Sequence, residues 1–251
     1  PAARGRKLSP LHDRLKALGA DPAHFELHEA FDAFAADPEQ WVGIVTGAGE
    51  RAFSAGNDLK HQAGGGGMAS PPSGFAGLTS RFDLTKPLIA AVNGVAMGGG
   101  FEIALACDLI VASEAATFAL PEPRVGLAAL AGGLHRLPRM IGQKQALCMI
   151  LTGRRVSAAE GQALGFVNEV AKPDELMAVA RRWAAQICEL SPMSIRASKE
   201  AVYKGLDEPT LEAAIKGQNR YPAVAALFKS EDFVEGPMAF AQKRAPNWKG
   251  R

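Results

Sequence analysis

The segment Pro87-Leu88-Ile89-Ala90-Ala91-Val92-Asn93-Gly94, which leads into Met97-Gly98-Gly99-Gly100-Phe101-Glu102, constrains this chain more than any other. Five apolar residues bounded by turn formers read as a strand, Leu88–Val92. The glycines beyond it open a helix, Gly98–Ala106, and let its first turn approach the strand closely. A strand feeding a helix through a glycine run belongs to an α/β architecture. Trp41-Val42-Gly43-Ile44-Val45-Thr46 predicts an earlier buried strand, turned by Gly47-Ala48-Gly49. Asp108–Ala112 and Ala116–Ala119 predict two more.

The flanks are less regular. Residues 1–20 are basic, with Leu11, Leu15 and Leu18 at helical spacing, and Phe25–Phe34 reads as an amphipathic helix. Gly64-Gly65-Gly66-Gly67 and Pro71-Pro72 mark residues 61–77 as a mobile loop. From Gly132 the chain turns mostly helical. Ser157 and Glu160 form a capping box, Gly165 stops that helix, and a strand is expected over Phe166–Val170. Helices follow over Asp174–Leu190, Pro192–Lys204, Pro209–Lys229 and Ser230–Arg244. The expected organisation is an α/β core over residues 1–190 and an all-helical region over 191–251.

Bulk properties narrow the function. The chain has 251 residues, 47% of them hydrophobic, enough for one large core with a helical appendage. Basic and acidic residues nearly balance, at 28 and 26, which gives no general reason to expect nucleic acid or a membrane as partner. Cys107, Cys148 and Cys188 are three in number and widely spaced, so they suggest neither a disulfide framework nor a zinc site. They read as small core residues of a reducing, cytoplasmic compartment. The five histidines are scattered. His24 and His28 share a helical face, better read as the polar side of a surface helix than as a metal site.

Two carboxylates stand out. Glu102 closes the glycine-rich helix opening, and Glu122 lies between two prolines in Ala119-Leu120-Pro121-Glu122-Pro123. Carboxylates in apolar, Gly/Pro-shaped surroundings are usually paired or used. Held across one pocket, they would form a general acid and a general base able to move water or a proton. The helix opening at Gly98–Gly100 presents free backbone N–H groups at a positive helix terminus, suited to an anion or oxyanion; tight strand-to-helix packing is the alternative. Ala52-Phe53-Ser54-Ala55-Gly56-Asn57-Asp58-Leu59, which lacks the bulk to be core, could supply another N–H or be an ordinary Asn-Asp turn. The glycine pattern is not that of a dinucleotide site, and Ser54 has no nucleophile-elbow context.

These segments, in this order, resemble the crotonase superfamily, the enoyl-CoA hydratases and isomerases, from about Asp37 to Arg251. The resemblance rests on Phe53–Leu59, Ile89–Gly94 with Gly98–Glu102, Cys107-Asp108, Leu120-Pro121-Glu122, Gly132–Pro138 and Leu151-Thr152-Gly153. It implies a spiral of ββα units with a C-terminal helical region that builds trimers, often paired into hexamers. It implies an acyl-CoA thioester as substrate, with coenzyme A part of the substrate and no separate cofactor or metal. By resemblance, the Ala55 and Gly99 amides form an oxyanion hole for the thioester oxygen, and Glu102 and Glu122 are the catalytic pair of the hydratase branch. Gly56, Asn57, Asp58, Leu59, Gly98 and Leu130 then fall to substrate and CoA binding. Isomerase branches place their working acid at the position of Leu130, which cannot move a proton. Syn hydration of an enoyl-CoA is therefore expected, with isomerisation by Glu122 alone or acyl-CoA binding without catalysis as alternatives.

Gly74–Thr79, Ser230–Ala241 and Trp248–Arg251 resemble one branch that acts on a trimethylammonium-bearing acyl group. Such a head group calls for an aromatic or anionic cage, and the sequence places none. The chain departs from the family in lacking its opening strand pair and in carrying Ala129-Leu130 where hydratases commonly have Pro-Gly.

Overall fold

The computed structural model describes residues 22–57 and 70–251. Helix α1 (Pro22–Ala36) leads into strands β1 (Gly43–Thr46) and β2 (Ala52–Ser54), and a short 3-10 turn covers Phe75–Gly77. Strands β3 (Leu88–Val92) and β4 (Val95–Met97) precede helix α2 (Gly99–Ala106). Strands β5 (Leu109–Ser113) and β6 (Thr117–Ala119) are followed by a 3-10 turn at Glu122–Val125 and helices α3 (Gly133–Ile141) and α4 (Gln143–Thr152). Then come β7 (Val156–Ser157), α5 (Ala158–Leu164), β8 (Glu169–Ala171) and α6 (Leu176–Cys188). The C-terminal helices are α7 (Pro192–Asp207), α8 (Leu211–Gly217), α9 (Pro222–Leu227) and α10 (Glu231–Ala241).

The strands divide between two sheets. One has the order β1-β3-β5-β8 and is parallel throughout; the other has the order β2-β4-β6-β7, with only β6 and β7 antiparallel. Each successive strand pair thus gives one strand to each sheet, which is the expected ββα spiral. All five residues of β3 are buried, because α6 covers one side through Leu176 and Ala180 while the main core, with Phe101 and Leu105, covers the other. Asn93 fixes the turn between the sheets. Its Oδ1 accepts the Gly47 N–H, and its Nδ2 donates to Gly49 O and Ala52 O.

Several expectations change. The strand at residues 41–46 is half-buried rather than buried. Phe53 belongs to the core, so the segment at 52–59 does carry bulk. Strands β2 and β4 are too short to show a period-2 pattern in the sequence. The strand expected over Phe166–Val170 begins only at Glu169, because Phe166 and Val167 fold back into the core behind Gly165. The single helix expected over Pro209–Lys229 breaks at Tyr221, whose ψ of 132° is the extended conformation favoured before proline. Cys107 is buried, but Cys148 and Cys188 are exposed. Residues 70–77 form an ordered turn with Ala76 and Gly77 buried. The helix expected within residues 1–20 and the loop at 61–69 lie outside the described residues.

Two clasps join the helical region to the sheets. Asp108 accepts from the Leu88 amide, Lys199 Nζ and Tyr203 Oη, so α7 is anchored between β3 and β5. Buried Asp232 accepts from Ser191 Oγ and from the Lys249 and Gly250 amides, returning the chain end to the start of α7. Ser191, Ser230 and Ser157 each cap a helix as expected.

Candidate active site

Gly98 is the N-cap of α2, with φ of 54°, a conformation that L side chains rarely adopt. Its amide donates to Ala119 O at the end of β6, so the helix start is bonded to the strand that leads to Glu122. A Cβ on Gly98 would lie 2.9 Å from Glu122 Oε1. The carboxyl therefore rests directly on the glycine backbone, and a side chain at Gly98 would meet both this carboxyl and a strained φ.

Gly99 is closely approached by two other segments. A Cβ there would lie 2.6 Å from the Phe75 ring and 3.3 Å from Gly56 Cα, and a Cβ on Gly56 would lie 2.9 Å from Gly99 N. The Gly99 N–H is in the first turn of α2, where helical geometry offers it no partner. Across from it, the Gly56 N–H is donated to Ser54 Oγ, which leaves the exposed Ala55 amide as the free donor position of that loop. Gly56 thus falls beside Gly99, and the Asn57 side chain next to it faces His24 Nε2. Asp58 and Leu59 lie outside the described residues.

Glu102 projects from the first turn of α2 and is only 3% exposed. Its Oε1 accepts the Gly133 N–H at 2.8 Å, and a Cβ on Gly133 would lie 3.1 Å from that oxygen. The Gly132-Gly133 pair therefore lets α3 bring an amide onto this carboxylate. Burial pushes the Glu102 carboxyl up to about 7; the Gly133 N–H opposes this, the Glu122 charge adds to it, and the Ala131 amide and Arg136 oppose it. Burial also raises Glu122 above the ordinary carboxylate range, and its buried Oε2 has no hydrogen-bond partner among the described residues. Two interacting carboxyls, both held towards the protonated form, can divide acid and base duties near neutral pH.

Leu151-Thr152-Gly153 supports the Glu122 turn from outside. Arg124 donates to Thr152 O, and the bare Cα of Gly153, with φ of 56°, makes room for Pro121 and Arg124. A cavity of about 350 Å³ opens there, lined by Met97, Ala119, Pro121, Arg124, Gly153 and Arg155. Leu130 is 77% exposed, whereas its neighbour Ala129 is buried. Leu130 is therefore a surface residue of the single chain and makes no buried wall.

Residues 13–251 match the family described as enoyl-CoA hydratase/isomerase. The chain belongs to that family. The carnitinyl-CoA dehydratase of Salmonella typhi is 48% identical over 247 residues, covering 95% of this chain and 93% of that one. The carnitinyl-CoA dehydratase of Salmonella typhimurium is 47% identical over the same span. Among solved structures, enoyl-CoA hydratase EchA1 from Mycobacterium marinum superposes with a TM-score of 0.84 at 39% identity, covering 92% of this chain and 88% of that one. An enoyl-CoA hydratase from Mycobacterium tuberculosis H37Rv gives 0.83 at 37% identity, covering 90% and 87%. Within the family the chain is a hydro-lyase of the hydratase and dehydratase kind, acting on CoA thioesters.

Sequence reasoning missed Phe75 and Gly133, and it misplaced His24. Phe75 lies in a stretch expected to be a mobile loop. Gly133 was visible only as part of a motif. His24, read as surface, is buried against Phe75. Among the described residues, no cluster of three His, Cys, Asp or Glu side chains could hold a metal. No helix among them is long and apolar enough to cross a membrane.

Proposed function

We propose that the chain catalyses syn addition of water across the 2,3 double bond of an enoyl-CoA thioester, and the reverse dehydration. One observation carries this reading. Glu102, held near neutrality, and Glu122, with an unpartnered buried oxygen, interact across the helix start that Gly98 and Gly99 open. The Ala55 and Gly99 amides hold the thioester oxygen, which makes Cβ electrophilic and stabilises negative charge as it develops. Glu102 takes a proton from water as the oxygen attacks Cβ, and Glu122 gives a proton to Cα. The product gains one hydroxyl at Cβ and one hydrogen at Cα, the equivalent of a single water. Glu102 ends with one proton more and Glu122 with one fewer; proton exchange with solvent restores the pair, and the reverse step returns that water. CoA enters and leaves as part of the substrate, so the scheme calls on no separate cofactor.

The likeness to carnitinyl-CoA dehydratases supports a substrate related to carnitinyl-CoA. Exposed apolar side chains along the C-terminal helices, among them Val202, Leu206, Leu211, Ile215 and Phe240, support a homo-oligomer, a trimer or a pair of trimers, built through residues 191–251. Sedimentation at a single-chain mass would end that part of the reading. A reducing, cytoplasmic setting suits the exposed thiols of Cys148 and Cys188.

The test is loss of the conjugated enoyl absorbance on mixing with crotonyl-CoA or crotonobetainyl-CoA. Hydration removes the band. Formation of that band from a 3-enoyl-CoA, with no loss from either 2-enoyl substrate, would identify an isomerase instead.

The ionisation of Glu102 gives a pH prediction. As a base it must be deprotonated, so kcat/KM for hydration is expected to climb as pH rises towards and past about 7. Stability moves the other way. Between pH 4.5 and about 7 the folded chain keeps a proton that the unfolded chain has released, so the fold loses stability as pH rises through that window. Glu102→Gln, which can still accept the Gly133 N–H, is expected to be more stable than the parent at pH 8 by about 1–3 kcal/mol and nearly equal to it at pH 4.5. Denaturant unfolding at the two pH values checks this, and equal stabilities at pH 8 would contradict it.

A further inference from the structure

The two segments that bracket Gly99 are both bound by one side chain far away in sequence. His24, on α1, is 6% exposed. Its Nδ1 accepts the Ala76 N–H at 3.2 Å, so Nδ1 carries the lone pair. The ring proton is then on Nε2, which donates to Asn57 Oδ1 at 3.2 Å. The imidazole also packs on the Phe75 ring, with centroids 4.4 Å apart. Asn57 is one residue from Gly56, and Phe75 is the ring that touches Gly99. Among the described residues, no other side chain hydrogen-bonds to both segments.

The Phe75 turn needs such a tether. Ala76 adopts φ of 52° and ψ of 25°, the left-handed region that disfavours a residue with a Cβ. Strained backbone of this kind persists only where its surroundings hold it in place. His24 supplies the acceptor for the Ala76 amide. One turn further along α1, His28 Nδ1 lies 2.8 Å from Ser73 Oγ, and Arg81 donates to His28 O and to Asp32. Those bonds hold the outer end of the turn to α1, but they do not reach the Asn57 loop.

We propose that His24 is a positioning residue of the oxyanion site, tying the Asn57 loop to the Phe75 turn and so setting the separation of the Ala55 and Gly99 amides. The inference rests on the oxyanion reading given under Proposed function. His24 touches neither substrate nor reacting atoms; it acts through Asn57 and Phe75. A tether of this kind raises turnover by holding donors where the thioester oxygen arrives. It does little for the binding of the distant nucleotide part of CoA.

The experiment uses the full chain and a cinnamoyl-CoA thioester with an electron-donating ring substituent, whose absorption moves to longer wavelength as its carbonyl is polarised. Bound to the parent protein it is expected to shift red. His24→Phe keeps a ring against Phe75 but loses both hydrogen bonds; it is expected to lose most of the shift and to lower kcat by about 10–100-fold, with a much smaller change in KM. His24→Asn can still accept from Ala76, and His24→Gln can still donate to Asn57, so each is expected to fall between parent and His24→Phe. A folded His24→Phe with the full red shift and parental kcat overturns the proposal. Should that variant not fold, full shift and parental kcat in both His24→Asn and His24→Gln overturn it equally. Absence of any red shift in the parent would instead remove the oxyanion reading, and this proposal with it.

Discussion

Replacing Glu122 by glutamine is expected to lower kcat for hydration by about 10²–10⁴-fold, with little change in affinity for the CoA thioester. The amide has nearly the same shape and leaves the backbone turn at Glu122–Val125 undisturbed, but it cannot deliver a proton to carbon. The location of the group makes the effect large. Glu122 rests against the Gly98 backbone and holds one oxygen buried without a partner, while burial favours its protonated form. That combination suits the proton-donor role proposed for it. Glu102→Gln is expected to be similarly impaired, and the double variant to be little worse than either single one, because paired acid and base groups act as a unit. Parental turnover in Glu122→Gln, measured by loss of enoyl absorbance, would remove Glu122 from the mechanism. A simple product of the two single effects in the double variant would show two independent groups.

The second large effect is expected from a single methyl group. Gly56→Ala should lower kcat/KM by about 10²–10³-fold, the loss seen when one oxyanion donor is removed from other enzymes. The added Cβ would lie 2.9 Å from Gly99 N, so the methyl would cover that amide or push the two loops apart. A positive φ of 84° adds strain that alanine does not relieve. Gly165→Ala is the matched control. Gly165 has φ of 99° but open space around its Cβ position, so that variant should lose about 1–2 kcal/mol of stability and keep its turnover. Comparing kcat/KM with the unfolding midpoint separates the two. If Gly56→Ala loses only stability, as Gly165→Ala is expected to, the space beside the Gly99 amide is not where the thioester oxygen binds.

Much of the site was legible in the chain because its parts are local. Glu102 lies in the first turn of a helix that the glycine run starts, so its position follows from segment order. Glu122 stands between two prolines, and the structure places it at the start of a short 3-10 turn, Glu122–Val125. The helices were found where caps and periodicity coincide, at Ser157, Ser191 and Ser230. What could not be read was local structure too short to show a period, such as β2 and β4, and burial that depends on a distant partner. His24 and His28 share one face of α1, and sequence alone assigned that face to solvent. The Phe75 turn covers it instead. Leu130 falls to substrate and CoA binding by resemblance, and no spacing shows that it is exposed in the single chain.

The sequence by itself determined the elements and their order: a strand, a glycine-opened helix and two carboxylates, each set by propensities acting over fewer than about ten residues. Only the tertiary structure decided that Gly133, thirty-one residues beyond Glu102, supplies its hydrogen bond, and that Gly56 and Phe75 both close on Gly99. The reason is physical. Hydrophobic patterning specifies which face of an element is buried, but the sheets and the core decide which distant backbone meets it. The chemistry proposed here depends on those meetings, because a carboxylate acquires a shifted ionisation, and an amide a free direction, only after folding has removed water and placed the neighbours.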